Sequence, residues 1–293
     1  MNIKKFINII SPKLLVSLQY YYHFKKFLNW SSPKDLNEKI NWLKFNSDTS
    51  LWSLCADKYR VREFVKQKGL EETLVKLYGK WDKAEDIEWD LLPNSFVLKT
   101  NNGSGDILLC TDKNKLNKNE VVMKYSTLLS KKFCETNGEP HYMSMQPCII
   151  VEEILDCKKQ SIVTDTMIDY KIWCFNGKPH HIFTCCNRFK DSVEVAVYDL
   201  QWKRHDECSV FTSHYKRIKS NLPKPKSLDK MLEIASKLSE GIPQVRVDLY
   251  EVDNKPYFGE MTFTSAGGFM SYFTPSFLRE MGELVDLSLV KNK

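Results

Sequence analysis

The chain has 293 residues, with 43 Lys and Arg against 37 Asp and Glu for a net charge of +6, and it is 42% hydrophobic and 27% charged. These proportions exclude a disordered chain, a collagen-like one and a multi-span membrane protein, and they leave room for one large core or two to three smaller lobes. The positive charge is mild and mixed with acids, so no nucleic-acid partner is expected.

Nine cysteines, with no Cys-x-x-Cys pair, sit in apolar runs such as KIWCF (171–175). They read as buried thiols of a reducing cytoplasm rather than as a disulfide framework or a zinc site.

Residues 1–30 mix lysines with Phe, Tyr, Leu and Ile, but Pro12 interrupts the run and Lys13 splits it. No small-residue cleavage site follows, so a signal peptide is not expected, and the stretch is too short and charged to span a bilayer. Two readings remain. The favoured one is a helix docked on the body of the protein; the other is a segment lying on the inner face of a membrane.

Ser32-Pro33-Lys34-Asp35 reads as an N-cap, a first-turn proline and a first-turn acid, opening a helix to about Phe45. A second helix takes Leu51, Leu54, Val61, Phe64 and Val65 on one face and ends at Gly69, with Asp57 and Lys58 on it or at its edge. Leu74–Tyr78 is strand-like. Residues 94–100 and 106–111 form two strands around an Asn101–Gly105 turn. A lysine-rich helix over about 115–133 precedes a buried strand, CIIVEEIL (148–155). Asn176-Gly177 joins two β-rich runs, the strongest short-range hairpin signal. VEVAVYDL (193–200) is a further strand, and 216–230 reads as a connection. A helix near 228–240 leads into strands on either side of Asp253-Asn254, and a last helix starts at about Pro275. The expected class is α+β with antiparallel sheets. Its parts are an N-terminal helical region (1–72), a small lobe with the glycine hairpin (73–155) and a larger lobe (156–293).

Four features carry candidate chemistry. Lys99 precedes the Asn101-Asn102-Gly103-Ser104-Gly105 turn, whose backbone N–H groups and nearby lysine suit phosphate oxygens. The spacing fits neither a Walker A loop nor a Rossmann fingerprint. Glu152 and Glu153 end a buried strand, where charge is costly without a partner. Asp169 and Lys171 alternate onto one strand face, as do Arg246 and Asp248. If the strands flanking Asp253-Asn254 pair, Asp248 and Glu260 fall at nearby levels, where they form an oxygen site for Mg²⁺ with Thr262 close by. Met261 to Gly268 reads as a loop shaped for close approach by a ligand.

The order Asp57-Lys58, FVLK (96–99), the glycine hairpin, EEIL (152–155), DYK (169–171), Val247-Asp248 and GEMT (259–262) resembles the ATP-grasp fold. It is most similar to the TupA-like branch, named for teichuronopeptide biosynthesis. The stretches LNEKINWLK, DKYRVREFV, DYKIWCFNG and RVDLY…YFGEMTFT carry that resemblance over roughly residues 36 to 285. It implies ATP and Mg²⁺ as cofactors. By position, Lys58 and Lys99 would hold the phosphates, and Ser104 and Gly105 would belong to the loop closing over them. Glu152, Glu153 and Leu155 would read adenine and ribose, with Asp169 also on the nucleotide side. Lys171 would face phosphate or substrate, Asp248, Glu260 and Thr262 would bind metal, and Arg246 would stabilise an oxyanion. Thr262 stands where an asparagine is usual in ATP-grasp enzymes, and the glycine loop is short.

The implied reaction is carboxylate–amine ligation through an acyl phosphate, in bacterial surface polysaccharide or capsule assembly, with an amino acid joined to a uronic acid or a peptide side chain. The partners would be a small-molecule or glycan carboxylate and an amine. A glycosyltransferase and an ATP-dependent sugar phosphotransferase are the alternatives. The substrate pockets are expected in the loops 134–147 and 187–220, with Arg188 a candidate contact and His180 and His181 on an exposed hairpin edge.

Overall fold

In the computed structural model, residues 3–103, 106–131, 136–162 and 164–290 are described. The chain opens with α1 (Ile3–Ile10) and α2 (Pro12–Phe24), separated at Ser11, whose hydroxyl caps α2. The next helix, α3 (Leu36–Asn46), starts later than the Ser32 cap predicts. Asp35 itself is the N-cap, in a reciprocal capping box with Glu38, because its short carboxylate reaches the Glu38 amide while Glu38 reaches back.

The single helix expected over 51–68 is two, α4 (Ser50–Cys55) and α5 (Val61–Gln67). Asp57 breaks it. Its buried carboxylate accepts the Tyr59 and Arg60 amides at 2.9 and 3.0 Å, a local alternative to helical hydrogen bonding. Gly69, at φ +70°, follows α5 as expected.

Four short strands make the first sheet: β1 (Leu77–Trp81), β2 (Phe96–Thr100), β3 (Leu108–Cys110) and β4 (Ile149–Glu152), in the order β1-β4-β2-β3 with antiparallel pairing. The strand expected at 74–78 lies three residues further on. The sheet's inner face, including Phe96, Leu98, Ile149 and Val151, packs with Val121 and Tyr125 of α6 (Lys118–Ser130). Alternation leaves Val97 and Lys99 on the opposite face.

The second sheet has six strands: β5 (Asp169–Phe175), β6 (Lys178–Cys186), β7 (Val193–Tyr198), β8 (Tyr215–Arg217), β9 (Gln244–Val252) and β10 (Lys255–Thr262). Its order is β10-β9-β5-β6-β7-β8, and only the β7–β8 pair is parallel. The short β8 overlaps the start of the stretch, 216–230, expected to be a plain connection. Between β8 and β9 runs α7 (Leu228–Ser239), whose Met231, Ile234, Ala235 and Leu238 are buried in the main core with Ile172, Cys174, Val245 and Val247. The hairpin turns sit where the sequence places them. Asn176 and Gly177 have φ of 50° and 79°, and Asp253 and Asn254 have 51° and 60°, the paired positive angles that match the twist of the flanking strands.

The eight described cysteines are all free, and seven are buried. His181 is buried rather than exposed, against Phe277. The register shifts where consecutive Trp173 and Cys174 of β5 pair with His181 and Pro179, so His180 is an extra residue that bends β6 there. His180, His181 and Glu280 gather ligand atoms within 4.8 Å of one another, and none of the three lines the cleft described below.

The final helix, α8 (Pro275–Glu283), meets the N-cap end of α3 at Gly282. A Cβ there would lie 2.3 Å from the Lys34 carbonyl and 2.8 Å from Asp35 Cα. Backbone cannot yield as a side chain can, so Gly282→Ala is expected to destabilise by about 2 kcal/mol despite its better helix propensity. An unchanged urea midpoint for this variant would refute the contact.

Candidate functional site

A cleft of about 1260 Å³ lies against both sheets and is lined from both. The described residues to which the resemblance gives roles all line it: Lys58, Lys99, Glu152, Glu153 and Leu155 on one side, and Asp169, Lys171, Arg246, Asp248, Glu260 and Thr262 on the other, whereas Asp57 and Asn101 do not. Ser104 and Gly105 lie outside the described residues.

The six-stranded side depends on one bulge. Counting outward from the Asp253-Asn254 turn, Lys255 pairs with Val252 and Phe258 with Leu249. An unbroken ladder would set Gly259 opposite Asp248 and turn Glu260 to the other face. Instead the register shifts between Phe258 and Glu260, so Glu260 pairs with Asp248 and Thr262 with Arg246. Gly259 is the extra residue. A Cβ on it would lie 2.9 Å from the Tyr250 ring and 3.0 Å from the Asp248 carbonyl. On the adjoining strand Lys171 pairs with Asp248, so Lys171, Asp248 and Glu260 form one row across three strands.

Arg246 organises that row. Its Nε and Nη2 hold the two oxygens of Asp248 at 2.6 and 2.7 Å, a bidentate pair. Nη2 also reaches Glu260 Oε1 at 3.2 Å and Thr262 Oγ1 at 3.0 Å, and Nη1 reaches Ser265 Oγ at 3.0 Å. Thr262 donates to Glu260 Oε1 at 3.0 Å. Lys171 donates to Asp248 Oδ2 at 2.5 Å and lies 3.6 Å from Asp169, which also accepts Arg188 at 3.0 Å. Burial opposes the charge of Lys171, but Asp248 and Asp169 outweigh it and raise its pKa. Glu260 is the open member, its side chain 38% exposed, with Oε2 4.0 Å from Lys58 Nζ. Burial pushes its carboxyl up, yet Lys58, Arg246 and Lys171 prevail and hold it down to about 2.

On the facing sheet Glu152 is buried because two cations meet it: Lys99 at 2.7 Å and Arg62 at 3.2 Å. Glu153 is exposed, and its amide donates to the Lys76 carbonyl at 2.9 Å. Lys58 reaches the glycine hairpin from the α4–α5 break. Its Nζ donates to Gly103 O at 2.6 Å, its amide to Asn101 O at 3.0 Å, and the Asn101 amide group donates to Asp57 at 2.7 Å. Burial lowers the pKa of Lys58.

The loop after β10 passes through positive φ at Ala266, Gly267 and Gly268. From beneath, the fully buried Lys44 donates to Gly267 O at 2.5 Å and Asn41 to Gly268 O at 2.8 Å. Burial brings Lys44 down to about 8, with Glu139 opposing.

Sequence reasoning missed Arg62, Glu139, Tyr142 and Tyr250 as cleft residues. Arg62 stands four residues after Lys58, a spacing that gives a cue. Glu139 and Tyr142 come from the 134–147 loop, and Arg188, His214 and Tyr215 from 187–220. Asp248, Glu260 and Thr262 are an all-oxygen donor set on one face, chemistry that fits a hard divalent cation such as Mg²⁺.

Residues 38–286 match the sequence model of the family described as TupA-like ATP-grasp. A comparison with curated proteins finds no match. Among solved structures, D-alanine–D-alanine ligase from Bacillus anthracis, complexed with ATP, is similar at a TM-score of 0.46 and 14% identity, over 82% of this chain and 66% of that one. Phosphoribosylamine–glycine ligase from Thermotoga maritima gives 0.43 and 12%, over 74% and 50%. The ATP-grasp ligase PsnB, complexed with a phosphomimetic variant of its minimal precursor, Mg and ADP, gives 0.43 and 10%, over 84% and 62%. The chain thus spans between half and about two thirds of the length of these three proteins.

Because the carboxylate of Glu260 is ionised in the fold down to about pH 2 against an ordinary 4.5, the stability it supplies is present above pH 4.5 and lost as pH falls toward 2. Glu260→Gln should therefore differ from wild type in thermal stability at pH 6, with the gap closing as the pH is lowered. A gap that does not change with pH would contradict this assignment.

Proposed function

The chain belongs to the TupA-like ATP-grasp family, and from that membership and the charged cleft we propose that it is an ATP-dependent ligase joining a carboxylate to an amine. Its two sheets around one cleft are the α+β ATP-grasp fold. The observation that carries the reading is the cross-strand row of Lys171, Asp248 and Glu260 facing Lys58 and Lys99 across the cleft.

In this reading the triphosphate lies between the two sheets. Lys58 and Lys99 meet its oxygens, and Glu152 aims Lys99 while sharing its charge with Arg62. Glu153, Ile154 and Leu155, just beyond the end of β4, border the adenine and ribose. Asp169 steadies Lys171 and Arg188 at the same wall. Ser104 and Gly105, outside the described residues, would take the phosphate-loop role that the family resemblance implies.

Asp248, Glu260 and Thr262 would hold Mg²⁺, Glu260 presenting the open carboxylate and Asp248 offering an oxygen now shared with Arg246 and Lys171. Bound there, Mg²⁺ supplies charge neutralisation for phosphoryl transfer.

The substrate carboxylate attacks the γ-phosphorus and ADP leaves, giving an acyl phosphate. The amine then attacks the acyl carbon, phosphate departs and the amine gives up a proton. Lys171 steadies the transferred group. Arg246, held rigidly by Asp248 and Ser265, presents a fixed positive charge to the oxyanion of the second step. The amide product is assigned to bacterial surface polysaccharide assembly, with a uronic acid or peptide carboxylate and an amino acid as the partners. Family membership alone supports that context.

The test is incubation of the purified protein with Mg²⁺-ATP and pools of uronic acids and amino acids. Substrate-dependent ADP with a hydroxylamine-trappable product is expected, and Glu260→Ala should lower kcat/KM about a hundredfold or more with the fold intact. ADP with a stable, hydroxylamine-insensitive phosphate ester would indicate a phosphotransferase. No ADP, but turnover of a nucleotide sugar, would indicate a glycosyltransferase. Full turnover in Glu260→Ala would refute the metal assignment.

A further inference from the structure

The first two helices carry more apolar surface than the body of the protein covers. The inner face of α2 is already satisfied, since Val16 and Tyr20 are fully buried in a small cluster with Leu28. Yet Leu14, Leu18 and Tyr21, spaced four and three residues apart on the outer face, are 46–48% exposed. Helix α1 buries no residue at all, and Ile3, Ile9 and Ile10 are each more than 60% exposed. Just beyond α2, Phe27 is 81% exposed. A helix apolar on both sides needs a second apolar partner, and contiguous patches of this kind mark contact surfaces.

Charge chooses the partner. Residues 1–34 contain six lysines and no Asp or Glu, in a chain that has 37 acids. Lys13 and Lys25 lie over the rings of Trp30 and Tyr22, at 5.4 and 5.0 Å, so cations sit level with aromatic rings, as amphipathic side chains do at a lipid headgroup boundary. A segment of one sign complements an anionic surface. No helix among the described residues is long and apolar enough to cross a membrane, and the break at Ser11-Pro12 keeps α1 and α2 short. Contact would therefore be made by lying along the surface.

We propose that residues 3–27 seat the protein on an anionic bilayer, with α1 and the outer face of α2 in the headgroup boundary. Gln19 and His23, also on α2, line the cleft, so the seated helix and the cleft share a border.

The experiment is sedimentation of the full chain with two vesicle preparations, phosphatidylcholine alone and equal parts phosphatidylcholine and phosphatidylglycerol. Binding is expected only to the anionic vesicles and should weaken as salt is added. Ile10→Asp/Leu18→Asp, which alters exposed positions only, should lose about tenfold or more of that binding with an unchanged circular dichroism spectrum. Reversal of Lys13 and Lys25 to Glu should lose about fivefold or more for each lysine. Absence of binding to anionic vesicles at low salt would overturn the proposal, as would binding indifferent to the apolar variant. A wild-type dimer that Ile10→Asp/Leu18→Asp splits into monomers, with no vesicle bound, would assign the face to a second copy of the chain and also overturn it.

Discussion

The candidate site depends on one extra residue in β10. Without the bulge at Gly259, strict alternation would put Asp248 and Glu260 on opposite faces of the sheet, one in the cleft and one away from it. With it, two carboxylates, a hydroxyl, a guanidinium and a lysine share one wall. The bulge needs glycine because the Tyr250 ring and the Asp248 carbonyl occupy the space a side chain would take.

Given that row, electrostatics determines how each group is held. Arg246 spans Asp248, Glu260, Thr262 and Ser265, so its several hydrogen bonds pre-set the row before any ligand arrives. Lys171 and Arg246 keep Asp248 company in a buried setting where an isolated carboxylate would be too costly to ionise. Glu260, nearer the open cleft and close to Lys58, keeps a half-buried carboxylate. Asp248 and, on the facing wall, Glu152 are thus each matched by two cations.

The opposite wall is positioned by small polar devices rather than by strand geometry. Asp57 breaks one helix into two and, through Asn101, ties that break to the turn after β2, which delivers Lys58 to the same hairpin that Lys99 enters. Lys44 and Asn41 on α3 support the left-handed backbone at Gly267 and Gly268 from below, so the loop after β10 is braced by the N-terminal helices. Helix α2 also borders the cleft through Gln19 and His23, while Leu14, Leu18 and Tyr21 on it stay partly exposed.

Features that depend on local chemistry were legible from the residues alone. Asn176-Gly177 and Asp253-Asn254 demand positive φ and so fix two hairpins. Period-two alternation places Asp169 with Lys171 and Arg246 with Asp248. Local signals placed helices up to about Phe45, near 228–240 and from about Pro275, and the order of charged motifs made the family legible. Where the α3 cap lies, and that Asp57 breaks a helix, depended on which of several nearby side chains reached an amide, a competition among neighbours of similar propensity. Only packing brings Glu260 onto one face with Asp248, matches Glu152 to Lys99 and Arg62, and buries His181. Each of these depends on a bulge or on contacts between segments far apart in sequence, and no local pattern records such pairings, because the energy that selects them exists only once both segments are packed.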